Sequence, residues 1–393
     1  MRPFEGIQVL DLTHVFAGPF AAHQLAALGA EVIKIEPVDD PDLTRSEGAD
    51  PELNARGMGL SFQAQGAGKK TLALDLKSDE GRALFDRLVE QSDVVIQNYT
   101  YAAVERLGLT YERLSGLKSD LIYCAISGFG QSGPKQAHPA YDTVIQAYSG
   151  IMAANGAAGQ EPVRVGPAMV DYGTGAQAAL AISAALYGRL VTGRGRHVDV
   201  AMADAALMLQ NSGTVQALAT GLGPRAHGNQ DPGLAGYACY DTAEGQVMLG
   251  AYTNRQMAAL MRVVGLEAVA KALEATPRRD IADRCAYDRA LLSEALLTRT
   301  AEAWEADLNA HHVPAARVRP LEDALQDPQY ATRAVVQDID DQRLTVAGFA
   351  YDHGSPSLDH GPRPHGADSA KVLQRLGVDA ELFSDLKARG IVA

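Results

Sequence analysis

The stretch IQVLDLTHVFAGPFAAHQLAALGAEVIKI, residues 7–35, contains a strand, a helix and a second strand in direct succession. Residues 7–12 form an apolar run of strand length, residues 18–28 have the composition of a helix that Gly29 ends, and residues 31–35 are again apolar and β-branched. Two strands joined by a helix lie parallel, and helices then cover both faces of their sheet. This stretch therefore predicts an α/β fold with a parallel sheet.

The same alternation continues to about residue 218. Further strands are predicted at 72–76, 94–96, 121–126 and 197–201, with helices at 78–91, 141–154, 175–190 and 203–218. Residues 1–219 are therefore predicted to form most of a Rossmann-like, parallel-sheet large domain.

After residue 219 the pattern changes. Residues 220–236 are rich in glycine and contain two prolines, which predicts a linker or a mobile loop. Residues 237–315 contain a predicted hairpin, 238–241 with 246–249, followed by helices, and are interpreted as a smaller α+β domain. A chain of 393 residues suits two domains of this kind.

The composition disfavours several classes of partner. The net charge is −13 without a long basic run, which argues against binding to nucleic acid or to an anionic membrane surface. No apolar run reaches the length of about 20 residues that spans a bilayer, and the N-terminus lacks the features of a signal peptide. The three cysteines are far apart in the sequence, which argues against disulfides and a zinc site. We therefore expect a cytoplasmic protein without a bound metal.

Residues 128–133, Gly-Phe-Gly-Gln-Ser-Gly, match the glycine pattern of dinucleotide-binding loops. In such loops a helix begins at once, and its N-terminus faces the pyrophosphate. Here Pro134 and Lys135 follow instead, which favours a simple turn after a strand. No permanently bound cofactor is predicted.

Asp171 lies in GPAMVDYGTG, residues 166–175, directly before a predicted apolar helix. Two interpretations are open. The carboxylate could cap the helix by accepting hydrogen bonds from its first free N–H groups. Alternatively, these donors and the helix dipole would hold it ionised as a nucleophile, with Gly173 and Gly175 leaving room for an activated acyl group.

Several motifs follow one another over residues 5–340. They include GIQVLDLT at 6–13, AGP at 17–19, LGAEVIKIE at 28–36, LALDLK at 72–77, SGFGQSGP at 127–134 and YD at 141–142. In this order, and with Asp171 after them, they resemble the family III CoA-transferases, which include the formyl-CoA transferases.

The resemblance implies that Asp171 is the catalytic residue of a CoA-transferase. Its carboxylate would attack an acyl-CoA to give an aspartyl–acyl anhydride, CoA would convert this into an aspartyl-CoA thioester, and a small dicarboxylic acid would accept the CoA. Coenzyme A is then a substrate, carried as a thioester. The resemblance also implies an interlocked homodimer, in which residues 316–393 return to complete the large domain.

By the same resemblance, a set of residues would contact the acyl-CoA: His14, Val15, Phe16, Ala17, Lys69, Lys70, Asn98, Tyr99, Arg106, Tyr141 and Met202. Their cations would pair with phosphates. A glycine-bearing loop would exclude water from the hydrolysable intermediates, although an ordinary linker explains the same composition. Its residues would be Gly228, Asn229, Gly233 and Gly236.

Two departures from the family pattern affect the predicted phosphate contacts. Residues 97–100 are Gln-Asn-Tyr-Thr where relatives have Glu-Asn-Phe and a basic residue, and the usual arginine after Glu36 is missing. Either CoA is held by fewer charges, or Arg45 substitutes.

The superfamily also contains isomerases, which gives a second hypothesis for the function. The protein would then be an acyl-CoA racemase or an enzyme that shifts CoA within one molecule. Racemases of this kind carry Gly-His-Asp, whereas residues 140–142 are Ala-Tyr-Asp. A tyrosine of ordinary pKa ~10 is a poor base for deprotonating a substrate carbon, which favours transfer. A non-catalytic acyl-CoA-binding protein is the third possibility.

Overall fold

The computed structural model describes residues 1–393, which fall into two compact units. The first unit comprises Met1–Ile151, Arg164–Leu222 and Pro328–Ala393, and the second comprises Met152–Val163 and Gly223–Asp327. The domain boundaries expected at 219, 236 and 315 stay predictions, because compactness does not test which segments fold as a domain.

The first unit contains a six-stranded sheet in which all neighbouring strands are parallel. The strand order is β3-β2-β1-β4-β5-β6, which is the doubly wound order of Rossmann folds. The predicted α/β class with a parallel sheet is confirmed. The strands are β1 (Gln8–Asp11), β2 (Glu31–Glu36), β3 (Lys69–Ala73), β4 (Val94–Gln97), β5 (Ile122–Ser127) and β6 (Arg196–Ala201).

Apolar side chains cover both faces of this sheet. Leu10 and Ile33 belong to one buried cluster, whereas Val9 and Val32 belong to another. Successive residues of a strand point to opposite faces, so each of these neighbouring pairs is divided between the two clusters. Burial on both faces explains why the strands are continuous apolar runs in the sequence.

Helices follow or connect these strands as far as residue 220, and one of them, Ile151–Ala154, lies mostly in the second unit. They are α1 (Ala17–Ala27), α2 (Pro51–Ala55), α3 (Leu60–Gly66), α4 (Asp79–Gln91), α5 (Tyr101–Leu107), α6 (Tyr111–Leu117), α7 (Asp142–Ser149), α8 (Ile151–Ala154), α9 (Met169–Thr192), α10 (Met202–Leu209) and α11 (Asn211–Thr220).

Three helical regions differ from their prediction. Helix α9 begins at Met169 rather than at 175, so Asp171 lies inside its first turn. The region 141–154 is two helices, because Gly150 between them has a left-handed φ of 89°. The region 203–218 is also divided, with the break at Gln210.

The second unit contains a three-stranded antiparallel sheet and helices. The hairpin β7–β8 agrees with its prediction, whereas the third strand was not predicted. Residues 221–238 contain no helix or strand apart from an isolated bridge between Gln230 and Ala238. The elements are β7 (Cys239–Asp241), β8 (Gln246–Leu249), α12 (Asn254–Val263), α13 (Glu267–Ala275), α14 (Cys285–Leu296), α15 (Ala301–Ala310), β9 (Ala315–Arg317) and α16 (Leu321–Ala324).

The C-terminal segment belongs to the first unit. Leu373 and Val392 lie in the same apolar cluster as Leu10, and Val392 forms a bridge with Leu74 beyond the end of β3. No helix of the structure combines the length and the apolar character that crossing a bilayer requires. The elements are α17 (Pro328–Thr332), β10 (Val336–Ile339), β11 (Gln342–Thr345), α18 (Ser369–Gln374) and α19 (Ala380–Ala388).

Candidate active site

A cavity of about 550 Å³ lies at the carboxyl ends of β1, β4 and β5. The strand order changes direction between β1 and β4, and ligands of open α/β sheets bind at such a point. The lining residues come from the segments that follow these strands and from four helices, α1, α5, α9 and α10. They include His14, Val15, Phe16, Ala17, Asn98, Tyr99, Gln131, Gln136, His138, Tyr141, Asp171 and Met202.

Asp171 lies on the wall of this cavity, at the third residue of α9. The residue is 7% exposed, and its carboxylate accepts no hydrogen bond from the protein. Its oxygens are not fully enclosed by the protein, so a molecule in the cavity can reach them. The group is therefore free to react with a molecule in the cavity.

The structure contradicts the interpretation of Asp171 as a helix cap. The N-cap residue of α9 is Ala168, which has no side-chain acceptor. The N–H groups of Val170 and Asp171 instead donate to Oδ2 of Asp142, at 2.7 and 3.0 Å. Asp142 thus satisfies donors that the first turn of every helix leaves free.

The second interpretation also needs a correction, because local donors do not hold Asp171 ionised. Burial, and then the negative charge of Asp142, raise the pKa of Asp171 to about 7. Burial disfavours a charged carboxylate, and a neighbouring carboxylate disfavours it further. Near neutral pH the Asp171 side chain is therefore present in both its ionised and its protonated form.

The loop after β1 is held in a strained conformation next to Asp171. Val15 has a φ of 69°, which is unfavourable for a β-branched residue. Its N–H donates to Asp42 Oδ1 at 3.2 Å, and the Asn98 amide forms two hydrogen bonds with the backbone of His14. Strain of this kind persists only where the surrounding structure fixes it, and it is common at functional sites.

Three cations predicted to contact phosphates have other partners in the structure. Lys69 is fully buried and forms an ion pair with Asp11 at 2.8 Å, so it does not reach the cavity. Lys70 is partly exposed and pairs with Glu31. Arg45 does not replace the missing arginine, because it is itself buried.

Arg45 pairs with Glu36 through two hydrogen bonds, at 2.8 and 2.6 Å. Its guanidinium also lies 3.7 Å from the ring centroid of Phe62. Arg45 therefore stabilises the carboxyl end of β2, and it does not supply the missing cation for a phosphate.

Arg106 is an exposed residue near the end of α5, and its side chain forms no hydrogen bond or ion pair. It does not line the cavity, but Tyr101 and Ala102 at the start of the same helix do. Arg106 is thus the predicted phosphate-binding cation that forms no ion pair within the protein.

The predicted glycine-bearing loop lies in the second unit. The N–H of Gly228 donates to Gly156 O at 2.7 Å, and the N–H of Gly233 donates to the Asp231 carboxylate at 2.8 Å. A Cβ on Gly236 would lie 2.1 Å from Met257 Sδ, so glycine is needed there for packing. The function of this loop, including that of Asn229, stays a prediction.

The glycines that follow Asp171 pack helices, in contrast to their predicted function. A Cβ on Gly175 would lie 2.5 Å from Ala17 O, and one on Gly173 would lie 2.6 Å from Leu209 Cδ1. Glycine at these positions lets α9 lie close to α1 and α10, which sets the position of Asp171 relative to the loop after β1.

Sequence reasoning missed the cavity residues of the segment between β5 and α7. Gln131, Gln136 and His138 line the cavity, and the segment contains no helix, as expected for a turn. The motif at 127–134 was interpreted as a turn and as part of the family pattern, and the polar residues in it and after it were the available signal for the cavity. No group of three or more His, Cys, Asp or Glu side chains is placed to hold a metal ion.

Comparison with known proteins places this chain in a family. The family model described as CoA-transferase family III matches residues 4–369. The chain belongs to CoA-transferase family III. The resemblance found from the motifs is thereby confirmed, and the protein is a transferase.

Relatives within family III are similar over nearly their full length. A succinate–glutarate CoA-transferase of Agrobacterium fabrum is 34% identical, covering 95% of this chain and 96% of the relative. An acetyl-CoA:oxalate CoA-transferase of Acetobacter aceti is 35% identical, covering 91% and 93%. The crystal structure of a CaiB/BaiF family protein from Brucella suis aligns with a TM-score of 0.84 at 32% identity, covering 96% of this chain and 100% of that one. Family III enzymes use CoA thioesters as substrates.

Proposed function

We propose that the protein moves CoA from an acyl-CoA donor to a small dicarboxylic acid through covalent intermediates on Asp171. The observation that carries this proposal is the buried Asp171 carboxylate, which faces the cavity without a hydrogen bond. A carboxylate that capped its own helix would have to give up its hydrogen bonds with the helix N–H groups before it could attack. Asp171 has none to give up.

In the proposed reaction, a carboxylate oxygen of Asp171 attacks the thioester carbon, the C–S bond breaks, and CoA leaves as a thiolate. The thiolate attacks the aspartyl carbonyl of the anhydride and releases the donor acid. The acceptor carboxylate then attacks the aspartyl carbonyl of the resulting aspartyl-CoA thioester, which breaks its C–S bond, releases the CoA thiolate and forms a second anhydride. The thiolate attacks the acceptor carbonyl of that anhydride, which gives the new acyl-CoA and regenerates the Asp171 carboxylate. Division into these steps conserves the energy of the thioester.

Burial of Asp171 favours the first of these steps. A buried charge is poorly solvated, and acylation converts the carboxylate into a neutral anhydride. The raised pKa, about 7, also makes the ionised form more basic than an exposed aspartate. Near pH 7 a substantial fraction of Asp171 is ionised, so the more basic carboxylate is also present in sufficient amount to react.

Within this proposal, the residues that line the cavity bind the acyl-CoA. His14 to Ala17 would contact the thioester end together with Met202, while Asn98, Tyr99 and Tyr141 would line the path of the CoA. Arg106 would pair with a phosphate. The loop with Gly228 to Gly236 would limit hydrolysis of the covalent intermediates. Acyl-CoA would then be lost only slowly when no acceptor acid is present.

Dicarboxylic acceptors are proposed because the two relatives are named for succinate, glutarate and oxalate, all of which are dicarboxylates. Specificity depends on a few side chains of the pocket, so a panel of acids is needed. The panel should combine succinyl-CoA and acetyl-CoA with isotopically labelled succinate, glutarate, oxalate and a monocarboxylate control.

We expect label from at least one dicarboxylate to appear in a new acyl-CoA, measured by chromatography and mass spectrometry. The monocarboxylate should exchange at least about tenfold more slowly, which corresponds to a difference of about 1.4 kcal/mol in transition-state binding. Product formed without exchange of label would contradict intermolecular transfer and favour the isomerase.

We also propose a homodimer, interlocked as in the family, and a cytoplasmic location consistent with three free cysteines. Helices α9 and α11 carry large apolar residues that are strongly exposed to water in a single chain. Their exposed fractions are 71% for Tyr187, 82% for Leu190, 71% for Val191 and 83% for Leu218. Such a concentration marks an interaction surface.

We expect sedimentation equilibrium to give twice the chain mass of 41.6 kDa at micromolar concentration. Leu190→Glu together with Leu218→Glu should shift the protein towards monomer or prevent its soluble expression, whereas Tyr351→Glu, at an exposed residue outside these helices, should not. A stable wild-type monomer would contradict the proposed dimer.

A further inference from the structure

The first turn of α9 is capped by a residue that is distant in sequence. Asp142, the first residue of α7, accepts the N–H groups of both Val170 and Asp171 on a single oxygen, Oδ2. Its other oxygen accepts from the Gln146 amide, and Gln146 Oε1 accepts the N–H of Val165 at 2.9 Å. Asp142 is 7% exposed and Gln146 is fully buried. This arrangement fixes both the capping carboxylate and the chain that leads into α9.

Asp142 occupies the donors that an aspartate in the first turn would otherwise use. Aspartate side chains in this position readily accept hydrogen bonds from nearby backbone N–H groups. With the N–H groups of Val170 and Asp171 already engaged, the Asp171 carboxylate has no local donor and remains directed at the cavity. A carboxylate is better suited to this cap than an amide, since the helix N-terminus favours negative charge.

We propose that Asp142 is a positioning residue, which caps α9 in place of Asp171 and thereby keeps the Asp171 carboxylate free to attack the thioester. This inference rests on the proposed nucleophilic function of Asp171. Without Asp142, the side chain of Asp171 would turn back onto the N–H groups of its own helix and become unreactive.

The charge of Asp142 has a second effect on the same group. It adds to burial in raising the pKa of Asp171, so its removal should lower that pKa towards the ordinary value of an aspartate. The other titratable groups near Asp171 are histidines and tyrosines, with no further carboxylate among the cavity residues: His14, Tyr99, Tyr101, His138, Tyr141 and the neighbouring Tyr172.

The test compares Asp142→Asn, which keeps an acceptor but removes the charge, with Asp142→Ala, which removes both. Asp171 is labelled with a water-soluble carbodiimide and glycine ethyl ester at different pH values, and its modification is measured by peptide mass spectrometry. Only a protonated carboxyl group reacts. In the wild type, labelling should persist to about pH 7. In Asp142→Asn the half-labelling pH should be lower, and no substrate is needed to see it.

Exchange between succinyl-CoA and labelled glutarate supplies the second measurement. Asp142→Ala should lose about 100-fold in kcat, as expected for a misplaced nucleophile, with KM for succinyl-CoA changed less than about threefold. Asp142→Asn should lose less and should retain activity to lower pH. If Asp142→Ala fails to fold, Asp142→Asn alone decides, with its fold checked by circular dichroism.

The proposed positioning is overturned if folded Asp142→Ala keeps the wild-type exchange rate, or if Asp142→Asn leaves both the half-labelling pH of Asp171 and the exchange rate unchanged. Asp171→Ala, assayed in parallel, separates this failure from a failure of the proposed function. An active Asp171→Ala would refute the nucleophile itself, whereas an inactive Asp171→Ala beside an unaltered Asp142→Asn would refute only the function of Asp142.

Discussion

Asp171→Ala is expected to reduce CoA transfer by about four orders of magnitude or more, because it removes the atom that forms both covalent intermediates. Asp171→Asn keeps nearly the same shape and should be equally inactive, since an amide is not a nucleophile at neutral pH. Binding of CoA, measured by calorimetry, should change by less than about threefold. A loss in kcat without a loss in binding is typical of an interaction made only during the reaction.

A matched control is Glu381→Ala, which removes another acidic side chain from the first turn of a helix, at an exposed residue of α19. Its kcat should stay within about twofold of the wild type, because surface substitutions usually have small effects. If Asp171→Ala retained a tenth of the wild-type activity, Asp171 would not be the nucleophile and the proposed reaction would be wrong.

The second large effect concerns stability and compares two adjacent lysines of β3. Lys69 and Asp11 form an ion pair in which both side chains have zero exposure. Lys69→Met would leave the Asp11 carboxylate buried without its partner, and we expect a loss of about 3–5 kcal/mol in the free energy of unfolding. Lys70 pairs with Glu31 near the surface, so Lys70→Met should cost no more than about 1 kcal/mol.

Hydrogen exchange of peptides from β1 and β3 should measure this difference. The single tryptophan, Trp304, lies in the second unit and would not report on the sheet. Equal protection in Lys69→Met and Lys70→Met would contradict the importance of the buried pair.

Much of the sheet could be predicted from the sequence because burial on both faces leaves a plain apolar signal. The runs at 7–12, 31–35, 94–96 and 121–126 all became strands of the parallel sheet. Lys69 and Lys70 show the limit of this reasoning. They alternate along β3, but only the neighbouring elements decide that one lysine meets Asp11 in the core and the other meets Glu31 at the surface.

The candidate site could be predicted only in part, for a similar reason. Asp171 was identified from its motif, but its helix begins earlier than the glycines suggested, at Met169. The residue that caps this helix is Asp142, and no local pattern relates two residues so far apart in the chain. The same applies to Val15, whose strained backbone depends on Asp42.

The most direct test of the proposed mechanism is to trap the covalent intermediate. Hydroxylamine is added to the protein during turnover of succinyl-CoA with glutarate, and the peptides are analysed by mass spectrometry. We expect a hydroxamate on Asp171 that depends on the presence of succinyl-CoA. A hydroxamate on a different carboxylate, or continuing transfer with Asp171 unmodified, would contradict the account.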